Sequence, residues 1–164
     1  MSKLSLKKRV FSRFSYWIAF GFGSGLTPYA PGTWGTLAAV PLYLALSTLP
    51  GWLYLSIVVA AFILGVYVSS IVTRELGVED FSGVVWDEMV GYWLTMLFIP
   101  VHWIWMVLGF VLFRFFDILK PFPIGWVEKR VQGGFGVMLD DVLAAIPAWM
   151  ILKCLYHYFG GSFE

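Results

Sequence analysis

Two pairs of adjacent acids interrupt an otherwise apolar sequence. One is Asp87-Glu88, in Val84-Val85-Trp86-Asp87-Glu88-Met89-Val90-Gly91; the other is Asp140-Asp141, in Val137-Met138-Leu139-Asp140-Asp141-Val142-Leu143-Ala144. Both share a weak internal echo: three apolar residues, two acids, two apolar residues and a small one. Four carboxylates beside apolar runs repel one another and are costly to desolvate. A bound divalent cation removes both penalties. Oxygen ligands with no His or Cys nearby suit Mg²⁺, which keeps part of its water and is usually shared with a substrate phosphate. Each pair also follows a glycine, Gly83 or Gly136, which predicts a place in the first turns of a helix. The dipole there favours the ionised form.

A third group is Arg114-Phe115-Phe116-Asp117-Ile118-Leu119-Lys120-Pro121. Arg114, Asp117 and Lys120 are three apart and line one side of the last helical turns. Arg114 can grip a phosphate with its fork and Lys120 can act as a point charge. Asp117 can join a metal or hold a base in place. The plainer alternative is a positive helix end snorkelling to head groups. The fourth group is Gly23-Ser24-Gly25 with Pro31-Gly32-Thr33-Trp34-Gly35-Thr36. Such a loop can offer backbone N–H groups and the Thr33 hydroxyl to an anion, though a connecting loop would look the same. It is not a Walker A loop, since no Gly-Lys-Ser/Thr follows. His102 and His157 lie in apolar stretches as interfacial residues. Cys154 is a lone small residue, outside any disulfide framework.

These groups need elements to hold them. Of the 164 residues, 60% are hydrophobic and 13% charged, against about half and about a quarter in a soluble domain. A chain this size reads as one domain, 1–164, with too little polar surface to cover itself, so lipid must solvate it. The net charge of +1 argues against nucleic acid as a partner. Lys3, Lys7, Lys8, Arg9 and Arg13 precede the first apolar run, which predicts a cytoplasmic N-terminus and can draw the segment onto an anionic leaflet. No short apolar core with a small-residue cleavage site follows, so a signal peptide is not expected.

Residues 1–20 read as a basic amphipathic lead-in. Residues 21–36 read as a loop too rich in breakers for a helix, with Thr36 capping a helix that starts near Leu37. Residues 37–49 and 52–72 read as a helical hairpin turning at Pro50-Gly51, the second arm long enough to span a bilayer. Residues 73–88 are acidic and must reach water or a polar cavity; Glu79 among them belongs to no motif. Residues 89–119 are apolar but broken near Pro100. If 89–113 were one straight span, the acidic segment 73–88 and the loop 114–136 would lie on opposite sides. If Pro100 marks a tight turn between two short helices they share one side, and that arrangement, which lets the polar groups converge, is the expected one. Residues 137–159 read as a last helix. The expected fold is therefore all-α and membrane-embedded. It has helical hairpins, short or re-entrant segments and a site at the membrane–water interface.

Four motifs in this order resemble the phosphatidylglycerophosphatase A family. They are Gly23-Ser-Gly-Leu-Thr-Pro-Tyr-Ala-Pro-Gly-Thr-Trp-Gly35, Val85-Trp-Asp-Glu-Met-Val-Gly91, Arg114-Phe-Phe-Asp-Ile-Leu-Lys-Pro121 and Gly133-Gly-Phe-Gly-Val-Met-Leu-Asp-Asp-Val-Leu-Ala144. The likeness runs from about Gly21 to Ala145, with two mild departures: Glu128 where the acid is often Asp, and Ala145 where glycine is common. The resemblance implies an enzyme of the bacterial inner membrane; the several apolar runs make it multi-pass, and the basic lead-in with converging polar loops turns its site toward the cytoplasm. It would use Mg²⁺ to hydrolyse phosphatidylglycerophosphate to phosphatidylglycerol and phosphate.

In the site so expected, Glu88, Asp140 and Asp141 hold the metal, with Asp87 and Asp117 in or beside its shell. Lys120, Arg114, Thr33 and Gly32 bind the phosphate, and Asp141 takes the proton of the attacking water. The signatures of other phosphatases, such as a Cys-x5-Arg loop or an N-terminal Asp-x-Asp, are absent. The rival class is a small transporter or channel with a carboxylate relay, which predicts acids deep within spans.

Overall fold

The computed structural model describes residues 3–78 and 81–160, with side chains from residue 5 onward. Glu79 and Asp80 lie outside the described residues. All regular structure among those described is helical. The lead-in forms α1 (Lys3–Ser12) and α2 (Phe14–Ala19), followed by a 3-10 turn (Gly21–Leu26). Then come α3 (Pro31–Leu46), α4 (Gly51–Leu76), α5 (Trp86–Thr95), α6 (Trp103–Leu119), the short α7 (Ile124–Glu128) and α8 (Gly133–Phe159).

α8 is the central post: α4, α5, α6 and α7 all pack on it. α3 lies on α5 and the 3-10 turn, and α2 lies on α4. The expected pair 37–72 is present as α3 and α4, yet the main partners of these two helices are others. α5 and α6 turn back on each other around Pro100, as two short helices. At 1.5 Å per residue they are only about 15 and 25 Å long.

Buried aromatic side chains pin α5 in place by giving their polar handles to backbone carbonyls. Trp86 Nε1 donates to the Ala61 carbonyl at 2.9 Å, and Trp93 Nε1 to Ala39 at 3.0 Å. Tyr54 donates to the Trp93 carbonyl at 2.7 Å. α5 is thereby tied to α3 and α4. On its other side, Gly91 lets it approach α6 and α8: a Cβ there would meet the Phe113 ring at 2.5 Å and the Asp141 carbonyl at 3.3 Å. Small residues at such crossings let helices come close in lipid as well as in water.

α4 and α8 are long and apolar enough to cross a membrane. α4 leaves Trp52, Leu55, Val59, Ile63 and Tyr67 exposed, and α6 leaves Trp103, Val107, Val111, Phe115 and Ile118 exposed. Both sets recur at three- or four-residue spacing and so form apolar stripes along the helices. Stripes of that length on a water-facing surface would be costly, whereas lipid accommodates them.

Several boundaries differ from the sequence expectation: α4 runs on to Leu76, α5 starts at Trp86, and the short α7 forms within the expected loop 121–136. Two further differences bear on the site. α3 begins at Pro31, not Leu37. Proline at the first helical position gives up an N–H that would have no intrahelical partner, so it starts the helix rather than breaking it. Thr36 is therefore not a cap; its hydroxyl donates back to the Gly32 carbonyl at 2.9 Å. α8 begins at Gly133, four residues before the expected start. Gly134 and Gly136 are contact positions, the first against Ser70 and Val66 of α4 and the second against the Val131 carbonyl. Asp140 and Asp141 consequently sit in the third turn of α8, and only Asp87-Glu88 occupy a first turn.

Candidate active site

The start of α5, the end of α6 and the third turn of α8 meet at one point. Val85 anchors the start of α5 by donating its N–H to the Ala19 carbonyl at 2.9 Å. Glu88 and Asp87 follow on the first turn, where the positive helix end favours carboxylates. Gly91, one turn further on, brings this end against Asp141. As a result Asp87, Glu88 and Asp141 each offer a ligand oxygen within 4.8 Å of the others.

The acids are buried: Asp141 is 3% exposed, Asp140 8% and Asp87 9%. Four of their oxygens, Asp87 Oδ1, Glu88 Oε2, Asp140 Oδ1 and Asp141 Oδ2, are buried without a hydrogen-bond partner among the described residues. A buried oxygen in that state is costly unless something positive faces it.

Two cations answer part of this charge. Arg114 donates to Asp117 Oδ2 at 2.5 Å and lies 3.6 Å from Glu88 Oε1. Lys120 lies between Glu128 Oε1 at 2.5 Å and Asp140 Oδ2 at 2.6 Å. Burial alone would lower the Lys120 ammonium. The bonds to Asp140 and Glu128 outweigh that and hold it above the usual lysine range. Six carboxyls, from Asp87, Glu88, Asp117, Glu128, Asp140 and Asp141, thus face two basic side chains. The remaining deficit and the unpartnered oxygens fit a divalent, oxygen-seeking cation of the hard class that includes Mg²⁺, Ca²⁺ and Mn²⁺.

α3 points its first turn at the same place. A Cβ on Gly32 would collide with Glu88 Oε1 and would lie 2.9 and 3.0 Å from the two terminal nitrogens of Arg114. The bare Cα of Gly32 is therefore what admits the helix end, and Thr33, half-buried, follows it. Beside the acids a cavity of about 100 Å³ is lined by Asp87, Glu128, Gln132, Gly133 and Asp140 among others. It has room for several waters.

All nine sequence-predicted residues lie on the elements that meet here. Asp87, Glu88 and Asp141 form the tightest group. Asp140 is shared with Lys120, and Asp117 lies beside Asp141 while held by Arg114. Glu128 is the residue that sequence reasoning left without a role. It stands eight positions after Lys120, across the turn that leads into α7, so no helical spacing links the two.

The phosphatidylglycerophosphatase A family model matches residues 17–156, which include every residue of the cluster. The chain is 42% identical to phosphatidylglycerophosphatase A of Escherichia coli (strain K12), over 86% of this chain and 83% of that protein. It is 45% identical to the Haemophilus influenzae protein of the same name, over 86% and 88%. A Bacteroides thetaiotaomicron protein, provisionally named a phosphatidylinositol-3-phosphatase, is 41% identical over 82% and 89%. No solved structure matches. With the family model covering most of its length and the motifs meeting at one point, this chain belongs to the phosphatidylglycerophosphatase A family.

Proposed function

We propose that this chain is a Mg²⁺-dependent lipid phosphatase that hydrolyses phosphatidylglycerophosphate to phosphatidylglycerol and phosphate in phospholipid synthesis. The observation that carries the reading is the convergence of three carboxylates from two helices, with unpartnered buried oxygens, beside Arg114 and Lys120. The names of the two relatives support the substrate.

Asp87, Glu88 and Asp141 would hold the metal, with Asp117 and the Lys120-bound Asp140 beside it, rather than Asp140 in place of Asp87 as the sequence suggested. Bound there, Mg²⁺ would neutralise phosphoryl oxygens and make a water more acidic. Arg114, turning from Glu88, and the first turn of α3 at Gly32 and Thr33 receive the phosphoryl group. Lys120, kept protonated by Asp140 and Glu128, serves as a fixed cation rather than a proton donor. A water attacks phosphorus in line, Asp141 takes its proton, and the bond to the glycerol oxygen breaks. The leaving alkoxide takes a proton from water, and Asp141 returns its own to solvent. The products are the lipid alcohol and inorganic phosphate.

The depth of the acids favours an interfacial enzyme over a relay. At 1.5 Å per residue, Asp140 lies only about 10 Å below the start of α8, and the rest of the helix, about 28 Å long, matches a bilayer core. The acids then sit at the edge of the hydrocarbon, where head groups are. We place the chain in the bacterial inner membrane as a multi-pass protein with this end toward the cytoplasm, in keeping with its basic lead-in. The Bacteroides relative makes the choice of lipid the point to test. Purified protein is assayed for phosphate release from phosphatidylglycerophosphate and phosphatidylinositol 3-phosphate in matched mixed micelles. A strong preference for the first is expected; equal or reversed preference would overturn the substrate assignment.

A further inference from the structure

The first 74 residues contain no Asp or Glu, and their basic residues gather at the start of the chain. Two of these are already engaged. Arg13 holds Glu75 at 2.8 Å, and Arg9 lies near the Tyr16 hydroxyl. Lys7 and Lys8 are exposed, with no ion-pair partner among the described residues. Lys7 is four residues from Phe11 and Lys8 three, so all three share one face of α1, and the buried Val10 marks the edge where that face turns inward. Phe11 and Phe14 are each 67% exposed, and Trp17 and Phe22 are also open.

The patch leads to the active site. Phe11 packs on Gly23 of the 3-10 turn, 3.2 Å from where a Cβ would stand. Phe22 meets Trp17 edge-on at 4.7 Å and Trp86 at 5.8 Å, and Trp86 adjoins Asp87. A surface of lysines and open aromatic rings, with no acid of its own, is complementary to negatively charged lipid, whose head groups take the ammonium ions while the rings enter the acyl boundary.

We propose that the exposed face of α1 and α2, with Lys7 and Lys8 beside Phe11, Phe14 and Trp17, lies on an anionic phospholipid leaflet and sets the active site at head-group level. This rests on the reading that the chain is embedded in a membrane. Each basic residue at such a surface is worth roughly fivefold in partition, so Lys7 and Lys8 together contribute about 25-fold. The attraction is screened by salt, because the Debye length falls to about 3 Å at 1 M.

The test is amide hydrogen exchange on the full-length protein in two kinds of nanodisc: phosphatidylcholine alone, and phosphatidylcholine with 30% phosphatidylserine. Amides of residues 5–19 should exchange at least tenfold more slowly in the anionic discs. The difference should vanish at high salt and in Lys7→Gln/Lys8→Gln, while phosphate release from detergent-dispersed substrate stays unchanged. Phe14→Ser should weaken protection in anionic discs without changing its salt dependence. Equal exchange in both discs, with α4 still protected, would overturn the proposal and leave the membrane reading standing. Loss of protection in α4 itself would remove the membrane reading and this proposal with it.

Discussion

Gly32→Ala isolates the geometry of the site from the stability of the fold. The added methyl would collide with the Glu88 carboxylate and crowd both terminal nitrogens of Arg114, at 2.9 and 3.0 Å. Both neighbours are ends of flexible side chains, so they can move. Restoring ordinary van der Waals distance requires Glu88 to retreat by about 1 Å. Alanine is also the better helix former, by about 1 kcal/mol, so the folded state should lose little stability. A misplacement of about 1 Å at a reacting centre can cost about 100-fold in rate, or about 2.7 kcal/mol of transition-state stabilisation. The variant should therefore unfold within a few degrees of wild type in detergent while its kcat for phosphate release falls about 100-fold. Wild-type turnover in a folded Gly32→Ala protein would refute the claim that α3 abuts the catalytic carboxylates.

Further expectations follow from the same contacts. Asp141→Asn keeps shape but removes a ligand and the proton acceptor; phosphate release should fall roughly 10²–10³-fold with the thermal transition retained, and near-wild-type rates would reject the roles assigned to it. Lys120→Met removes the cation between Glu128 and Asp140, so turnover should drop about 100-fold while the Mg²⁺ concentration for half-activation falls, as one positive competitor is lost; a rise in that concentration would contradict it. Gly91→Ala forces a methyl against Phe113 and should destabilise the protein by about 1–3 kcal/mol, read as a lower midpoint in detergent unfolding. Cysteines placed at Ser82 and Lys129 in a Cys154→Ser background should both be labelled from the same side of intact vesicles; opposite sides would break the proposed topology.

Much of this site was legible in the sequence because charge is scarce in it. In a chain with 13% charged residues, paired acids beside apolar runs already single themselves out, and the structure brings Asp87, Glu88 and Asp141 together. The break at Pro100 was readable too, since proline ends helices, and it correctly returned Arg114 toward Glu88. The starts of α3 and α8 were misplaced for one physical reason: glycine and proline have two uses. Pro31 at a first helical position and Gly134 at a helix crossing are compatible with helix, and sequence alone does not separate these from loop residues. The pairing of Lys120 with Glu128 was hidden because it depends on the path of the chain between α6 and α7. The α4 stripe was visible as apolar length, but which face it left open depends on packing against α8.

The central claim is that carboxylates of α5 and α8 hold a divalent cation that phosphate release requires. Purified protein should be freed of metal with excess EDTA and assayed on phosphatidylglycerophosphate, then assayed again after Mg²⁺ is returned in excess. The account predicts no release in EDTA, recovery with Mg²⁺, and little recovery when Glu88→Gln and Asp141→Asn are combined. Full turnover in EDTA would contradict it.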